Sequence, residues 1–162
     1  MTINIFSKQV KNQMKLTLPS LSVNEGLARA VVAAFCAQLD PAAPELADVK
    51  CAVSEAVTNC IVHAYRDTVG IIYMTLRILE GGVVRIEIRD RGCGIPDVAE
   101  ARTPLYTTDA AGERSGMGFT VMESFMDKLR VTSRVGKGTC VTMYKKISGR
   151  SDNTEYAFGG MS

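Results

Sequence analysis

The chain has 162 residues, 46% of them hydrophobic, and a formal charge of +2, which suits one domain that buries a core without disulfide or metal staples. No basic run announces a surface for a phosphate backbone, no apolar stretch approaches the roughly 18 residues of a membrane span, and the N-terminus lacks a secretory pattern. The cysteines at 36, 51, 60, 93 and 140 form no C-x-x-C pair; they read as small core hydrophobes in a reducing compartment, and a soluble cytoplasmic domain is expected.

Residues 1–13 read as a loose lead-in. Met14-Lys15-Leu16-Thr17-Leu18 alternates as a short strand that Pro19 ends. Ser22 with Glu25 three residues on predicts a capping box. The helix behind it is expected to reach about Gln38, with Val23, Leu27, Ala30, Val31, Ala34 and Phe35 as its core stripe. Glu25, Arg29, Val32 and Cys36 fall outside that stripe. An arginine beside an exposed valine is either solvated surface or a partner-binding face.

Asp40 to Pro44 reads as a connector, and a second helix is expected from Glu45 to Tyr65. Its core side runs through Leu46, Val49, Val53, Ala56, Val57, Cys60 and Ala64. Val69 to Glu80 and Val83 to Arg89 read as strands joined at Gly81-Gly82. Residues 97–115 are polar and loop-like, with at most a helical turn near Val98 to Arg102. Helical spacing resumes from Gly116 to Met126. A second hairpin follows, Lys128 to Arg134 and Thr139 to Lys146 around Gly136-Lys137-Gly138. The tail from Ser148 is polar and glycine-rich, the composition of a disordered segment. The order predicts an α/β (α+β) two-layer sandwich, with a mixed, largely antiparallel sheet and helices on one face.

Three stretches carry chemistry. The strand ending at Arg89 delivers Asp90-Arg91-Gly92-Cys93-Gly94-Ile95-Pro96. A carboxylate at a strand exit is a fixed acceptor suited to an exocyclic amine, and glycine lets backbone approach a ligand. An ordinary acidic turn is the alternative. Glu55 and Asn59 lie one turn apart on the second helix, nearly opposite its apolar stripe. They are either a solvated face or a cleft wall, and Val62, projecting the same way, favours the wall. An amide oxygen can complete a Mg²⁺ shell, and a carboxylate one turn away can deprotonate a hydroxyl that attacks a γ-phosphate. Finally, Arg114-Ser115-Gly116-Met117-Gly118-Phe119 takes a loop into a helix, where free N–H groups and an arginine fork suit an anion. A turn is again the alternative. Thr139, opening the last strand, offers a hydroxyl to a ligand or is an ordinary strand residue.

Taken in order, Glu55-x-x-x-Asn59, Asp90-x-Gly92-x-Gly94, Gly116-x-Gly118 and Gly138-Thr139 resemble the ATP-binding signature of the gyrase/Hsp90/histidine-kinase/MutL superfamily over residues 14–146. The resemblance implies the histidine-kinase-type ATPase (Bergerat) fold, with ATP or ADP and Mg²⁺ as cofactors. It gives Asp90 the adenine amino group and Asn59 the metal. Gly92, Gly94, Gly116 and Gly118 would admit the nucleotide, and the 97–115 loop would be a lid. Ser54-Glu55-Ala56-Val57-Thr58-Asn59 and Arg114 through Glu123 further resemble the sporulation branch of the bacterial anti-sigma factor/serine kinases. That branch implies sigma-factor binding that blocks RNA polymerase holoenzyme, and phosphorylation of a serine on an anti-anti-sigma protein with Glu55 as base. It also implies Glu25 and Arg29 as the partner-binding face, a homodimer, and neither nucleic-acid nor membrane binding. One departure is Ala64, where relatives carry glycine before the tyrosine; facing the core, it bears only on local packing. A general-stress anti-sigma kinase shares these motifs, and a sigma binder gated by nucleotide without kinase activity is the rival class.

Overall fold

The computed structural model describes residues 7–104 and 118–149. Five strands form one sheet: β1 (Val10–Pro19), β2 (Ile71–Leu79), β3 (Val83–Arg89), β4 (Lys128–Arg134) and β5 (Gly138–Lys146). Their order is β1-β2-β3-β5-β4, and every neighbouring pair is antiparallel. Helices α1 (Val23–Cys36), α2 (Ala43–Asn59), α3 (Val98–Ala101) and α4 (Gly118–Phe125) complete the described elements. The expected two-layer sandwich is therefore present.

Strand alternation decides which side chains face the helices. Ile72, Met74, Leu76 and Ile78 of β2, with Val84, Ile86 and Ile88 of β3, are all buried there. Val141 and Met143 of β5 continue that core. The hairpin between β2 and β3 turns through Gly81 and Gly82 at φ +80° and +74°, the left-handed region where a Cβ is penalised.

The first helix corrects two expectations. Its buried side is Ala28, Val32, Phe35 and Cys36, whereas Val23 is 74% and Leu27 47% exposed. The helix is apolar nearly all round, so periodicity offers two stripes. Packing against α2 selects the one holding small residues, Ala28 and Cys36, that let the helices approach. The capping box is also absent. Ser22 is itself helical in φ and ψ and makes no side-chain cap, while the Glu25 carboxylate is engaged by Arg29 and by the Ser54 hydroxyl.

Helix α2 starts inside the expected connector. Pro44 sits in its first turn, where a missing N–H costs nothing, and Glu45 Oε1 reaches back to the Ala42 N–H at 3.0 Å. At its other end the α-helix stops at Asn59 and continues as a π turn, Cys60–Ala64, closed by Tyr65 N–H to Cys60 O at 3.1 Å. The single helix expected to run to Tyr65 thus carries one surplus residue in its last turn. Strand β1 begins earlier than expected, because its edge pairs with β2 as far as Val10↔Leu79.

Candidate functional site

The exit of β3 meets the start of β5 beneath the end of α2. Asp90 continues the buried side of β3 and is only 6% exposed. Its Oδ1 accepts the N–H of Gly92 at 2.9 Å and of Thr139 at 3.2 Å. Its own N–H donates to the Thr139 carbonyl at 2.9 Å. Oδ2 takes the Cys60 thiol at 3.6 Å and retains a lone pair for a further donor. Burial pushes the Asp90 pKa above the ordinary carboxylate value, and the two backbone N–H groups and the thiol pull against that. The same burial, reinforced by the Asp90 charge, raises the Cys60 pKa well above a normal thiol, so Cys60 stays protonated as a donor.

Around this carboxylate the backbone segments touch. A Cβ on Gly92 would lie 2.4 Å from the Ala64 carbonyl oxygen, and one on Gly94 would lie 2.3 Å from that of Arg134. Both glycines therefore have a cause inside the fold, besides any close approach by a ligand. Ala64 thus does bear on local packing, since its carbonyl also accepts the Cys93 N–H at 3.1 Å. Tyr65 pins the same corner: its hydroxyl donates to Ile71 O at 2.6 Å and accepts the Arg91 N–H at 2.7 Å.

The second cluster is the outer wall of α2. Glu55 and Asn59 are half-buried, and both side chains close on the backbone of α4. A Cβ at Gly118 would stand 3.3 Å from Glu55 Oε2, Asn59 Oδ1 and Asn59 Nδ2. Glycine at 118 is therefore what admits the carboxylate and amide to the start of the described part of α4. Phe119, beside it, is 8% exposed and belongs to the core. The Thr139 hydroxyl lies 2.8 Å from Ser133 Oγ at the β4–β5 edge. Arg114, Ser115, Gly116 and Met117 lie outside the described residues.

The structure thus brings Asp90, Gly92 and Thr139 into one hydrogen-bonded corner, and Glu55, Asn59 and Gly118 into another, both along α2. Glu25 and Arg29 form an i,i+4 ion pair of 3.0 Å on α1, and Ser54, the residue before Glu55, donates its hydroxyl to the Glu25 carboxylate. Two contributors escape sequence reasoning. Periodicity places Cys60 in the core but not against Asp90, and nothing local marks Tyr65 as a clamp. Among the described residues no group of three or more His, Cys, Asp or Glu is placed to hold a metal. Oxygen donors from Asn59 and Glu55 nevertheless suit a hard cation that keeps its waters and phosphate ligands. No described helix is long and apolar enough to cross a membrane.

Residues 18–145 match the family described as the histidine kinase-like ATPase domain. The anti-sigma F factor of Caldanaerobacter subterraneus subsp. tengcongensis is 55% identical over 139 residues, covering 86% of this chain and 96% of that protein. The anti-sigma F factor of Geobacillus kaustophilus is 53% identical over 140 residues, covering 86% and 95%. Among solved structures, the RsbU and RsbW domains of a Mycobacterium tuberculosis protein superpose with a TM-score of 0.63 at 21% identity, over 84% of this chain and 32% of that one. The histidine kinase domain of an Erythrobacter litoralis blue-light activated kinase gives 0.51 at 21% identity, over 76% and 61%. Those two likenesses speak for the fold alone, whereas the family match and the relatives above half identity go further: the chain belongs to the histidine kinase-like ATPase family and, within it, to the anti-sigma F factors.

Proposed function

We propose that the chain captures a sporulation-type sigma factor in the cytoplasm, withholding it from RNA polymerase, and uses ATP to phosphorylate a serine of an anti-anti-sigma protein. Relatives 55% and 53% identical over 139 and 140 residues are anti-sigma F factors, which supports the first part. One observation carries the second: Glu55 Oε2 and the Asn59 amide meet at the backbone of Gly118, while Cys60, the residue after Asn59, holds the buried Asp90 carboxylate. Binding a nucleotide requires no carboxylate at that turn of α2; moving a proton from an attacking hydroxyl does.

In this reading Asp90 Oδ2 accepts the exocyclic amine of adenine, while Gly92 and Gly94 keep the floor of the pocket low. Asn59 holds Mg²⁺, which when bound neutralises charge on the phosphates. Gly116 and Gly118, with the N–H groups of Ser115, Met117 and Phe119 and the fork of Arg114, receive the phosphates. Glu55 takes the proton of the partner's serine as its Oγ bonds to the γ-phosphorus and the bond to ADP breaks. Glu25 and Arg29 on α1 meet the protein partners, the domain spans 14–146, and the chain works as a homodimer.

The test is label transfer from γ-labelled ATP to a cognate anti-anti-sigma protein. The native chain is expected to transfer label, and Glu55→Ala to lose it by about 10²-fold or more while still binding nucleotide. No transfer by the native chain, under conditions where the complex forms, would leave a nucleotide-gated sigma binder. Retention of a general-stress sigma factor over a sporulation one would move the chain to the sister branch.

A further inference from the structure

The helices cover one side of the sheet, and the other side gathers cations that are scattered in sequence. Cross-strand partners share a face, so the register sets them out in rows. One row holds Arg77, Arg85 and, across Tyr144, Lys128. The next runs Lys15, Thr75, Glu87, Thr142, Arg130. The third brings Arg89 beside Tyr73, whose ring is covered by the Arg91 guanidinium at 4.9 Å. Beyond it the face opens into a hollow of about 530 Å³ where Arg89, Arg91, Arg134 and Lys137 converge.

Glu87 is the only carboxylate in those rows. It is already taken by Arg85 at 2.9 Å and approached by Arg89 at 3.8 Å. Arg77 and Arg85 face each other directly, a like-charge pair that weakens a sheet unless something anionic lies over it. Arg85 itself is engaged by Glu87 and by the Tyr144 hydroxyl at 3.2 Å, so the charge left for a partner sits on Lys15, Arg89 and Arg130, whose side chains are exposed.

We propose that this open face docks an acidic protein surface, one presenting clustered Asp and Glu side chains. Guanidinium forks predominate over lysines in these rows, and they match carboxylates in pairs. A nucleic acid fits less well. The aromatic rings that could stack with bases are occupied, Tyr73 by Arg91 and Tyr144 by Arg85 at 5.8 Å. A second copy applied face to face would set like charge against like. The inference does not rest on the proposed kinase reaction: none of these rows contains Glu55, Asn59 or Asp90, and only the hollow at their end is bordered by Asp90 and Thr139.

The experiment uses the full chain, labelled with ¹⁵N, titrated at low salt with hexaglutamate and separately with a short DNA duplex. Hexaglutamate is expected to shift the side-chain Nε–H resonances of Arg77, Arg89 and Arg130 and to leave Arg29 and Arg66 in place. Lys15→Glu with Arg130→Glu should weaken its binding by about tenfold, while Lys50→Glu with Arg66→Glu on the helical layer changes it little. Unchanged ATP affinity shows that the variants are folded. Equal losses in the two variants, shifts centred on Arg29, or tighter binding of the duplex at the same arginines would each overturn the proposal. The last outcome would make the face a nucleic-acid surface.

Discussion

Asp90 and Thr139 are paired twice: the Asp90 N–H reaches the Thr139 carbonyl, and the Thr139 N–H returns to Asp90 Oδ1. This fixes the carboxylate with Oδ2 as its remaining acceptor edge. Asp90→Asn keeps an oxygen for the two backbone donors and turns an NH₂ toward the ligand side. Nucleotide affinity is expected to fall by at least about tenfold, since an amine would then face an amine; calorimetry with Mg²⁺ reads it. Burial raises the Asp90 pKa in the folded chain, so that state holds the proton to higher pH than the unfolded one. Stability from this group is present below the unfolded pKa and lost as pH rises through the folded one. Denaturant melts across that window should show the slope in the native chain and lose it in Asp90→Asn.

Gly92→Ala would set a methyl 2.4 Å from the Ala64 carbonyl oxygen, a backbone atom that cannot step aside. A loss of about 1–3 kcal/mol is expected from overpacking. Gly136→Ala is the contrast, because only its φ of +74° opposes the methyl and nothing lies within 4 Å. Its cost should be about 1 kcal/mol. Equal losses in chemical denaturation would contradict the contact.

Tyr65→Phe removes one hydroxyl and orphans both the Ile71 carbonyl and the Arg91 N–H. About 1 kcal/mol of stability should disappear, the net worth of hydrogen bonds that are only part-buried. Amide exchange at Arg91 should accelerate. An unchanged exchange rate there would mean that water replaces the hydroxyl.

Ser54 and Arg29 share the Glu25 carboxylate. Arg29→Ala breaks an exposed i,i+4 pair and should cost under about 0.5 kcal/mol of stability, yet reduce sigma capture in a pull-down. Ser54→Ala and Glu25→Ala should be non-additive, because each removes the same link between α1 and α2. A double variant whose loss equals the sum would show that the link contributes nothing.

Arg114→Ala is expected to weaken ATP more than ADP if, as proposed, its guanidinium fork binds the terminal phosphate. Equal weakening of the two nucleotides would remove it from that place.

Much of the fold was legible because alternation and glycine turns agree. Val83–Arg89 and Lys128–Arg134 read as strands from their own residues, and both lie where expected. The first helix was not legible in detail, since its composition offers two apolar stripes and only contact with α2 distinguishes them. The spacing of Glu55 to Asn59 and of Asp90 to Gly92 and Gly94 pointed to the two corners. The thiol of Cys60 and the hydroxyl of Tyr65 did not, because their partners, Asp90 and Arg91, lie just past β3, 30 and 26 residues away in sequence. The charged sheet face was hidden for the same reason: its arginines become neighbours only through strand register.

The π turn at Cys60–Ala64 makes this corner intolerant of length changes. Removing any one of those residues would restore ordinary helical pairing and swing Tyr65 by about 100° around the axis. The ring would leave Ile71 and Arg91, and the Ala64 carbonyl would leave the Cys93 N–H, so the pocket floor and the helix wall would lose their common anchor. Homologous chains should therefore hold the count of this segment constant.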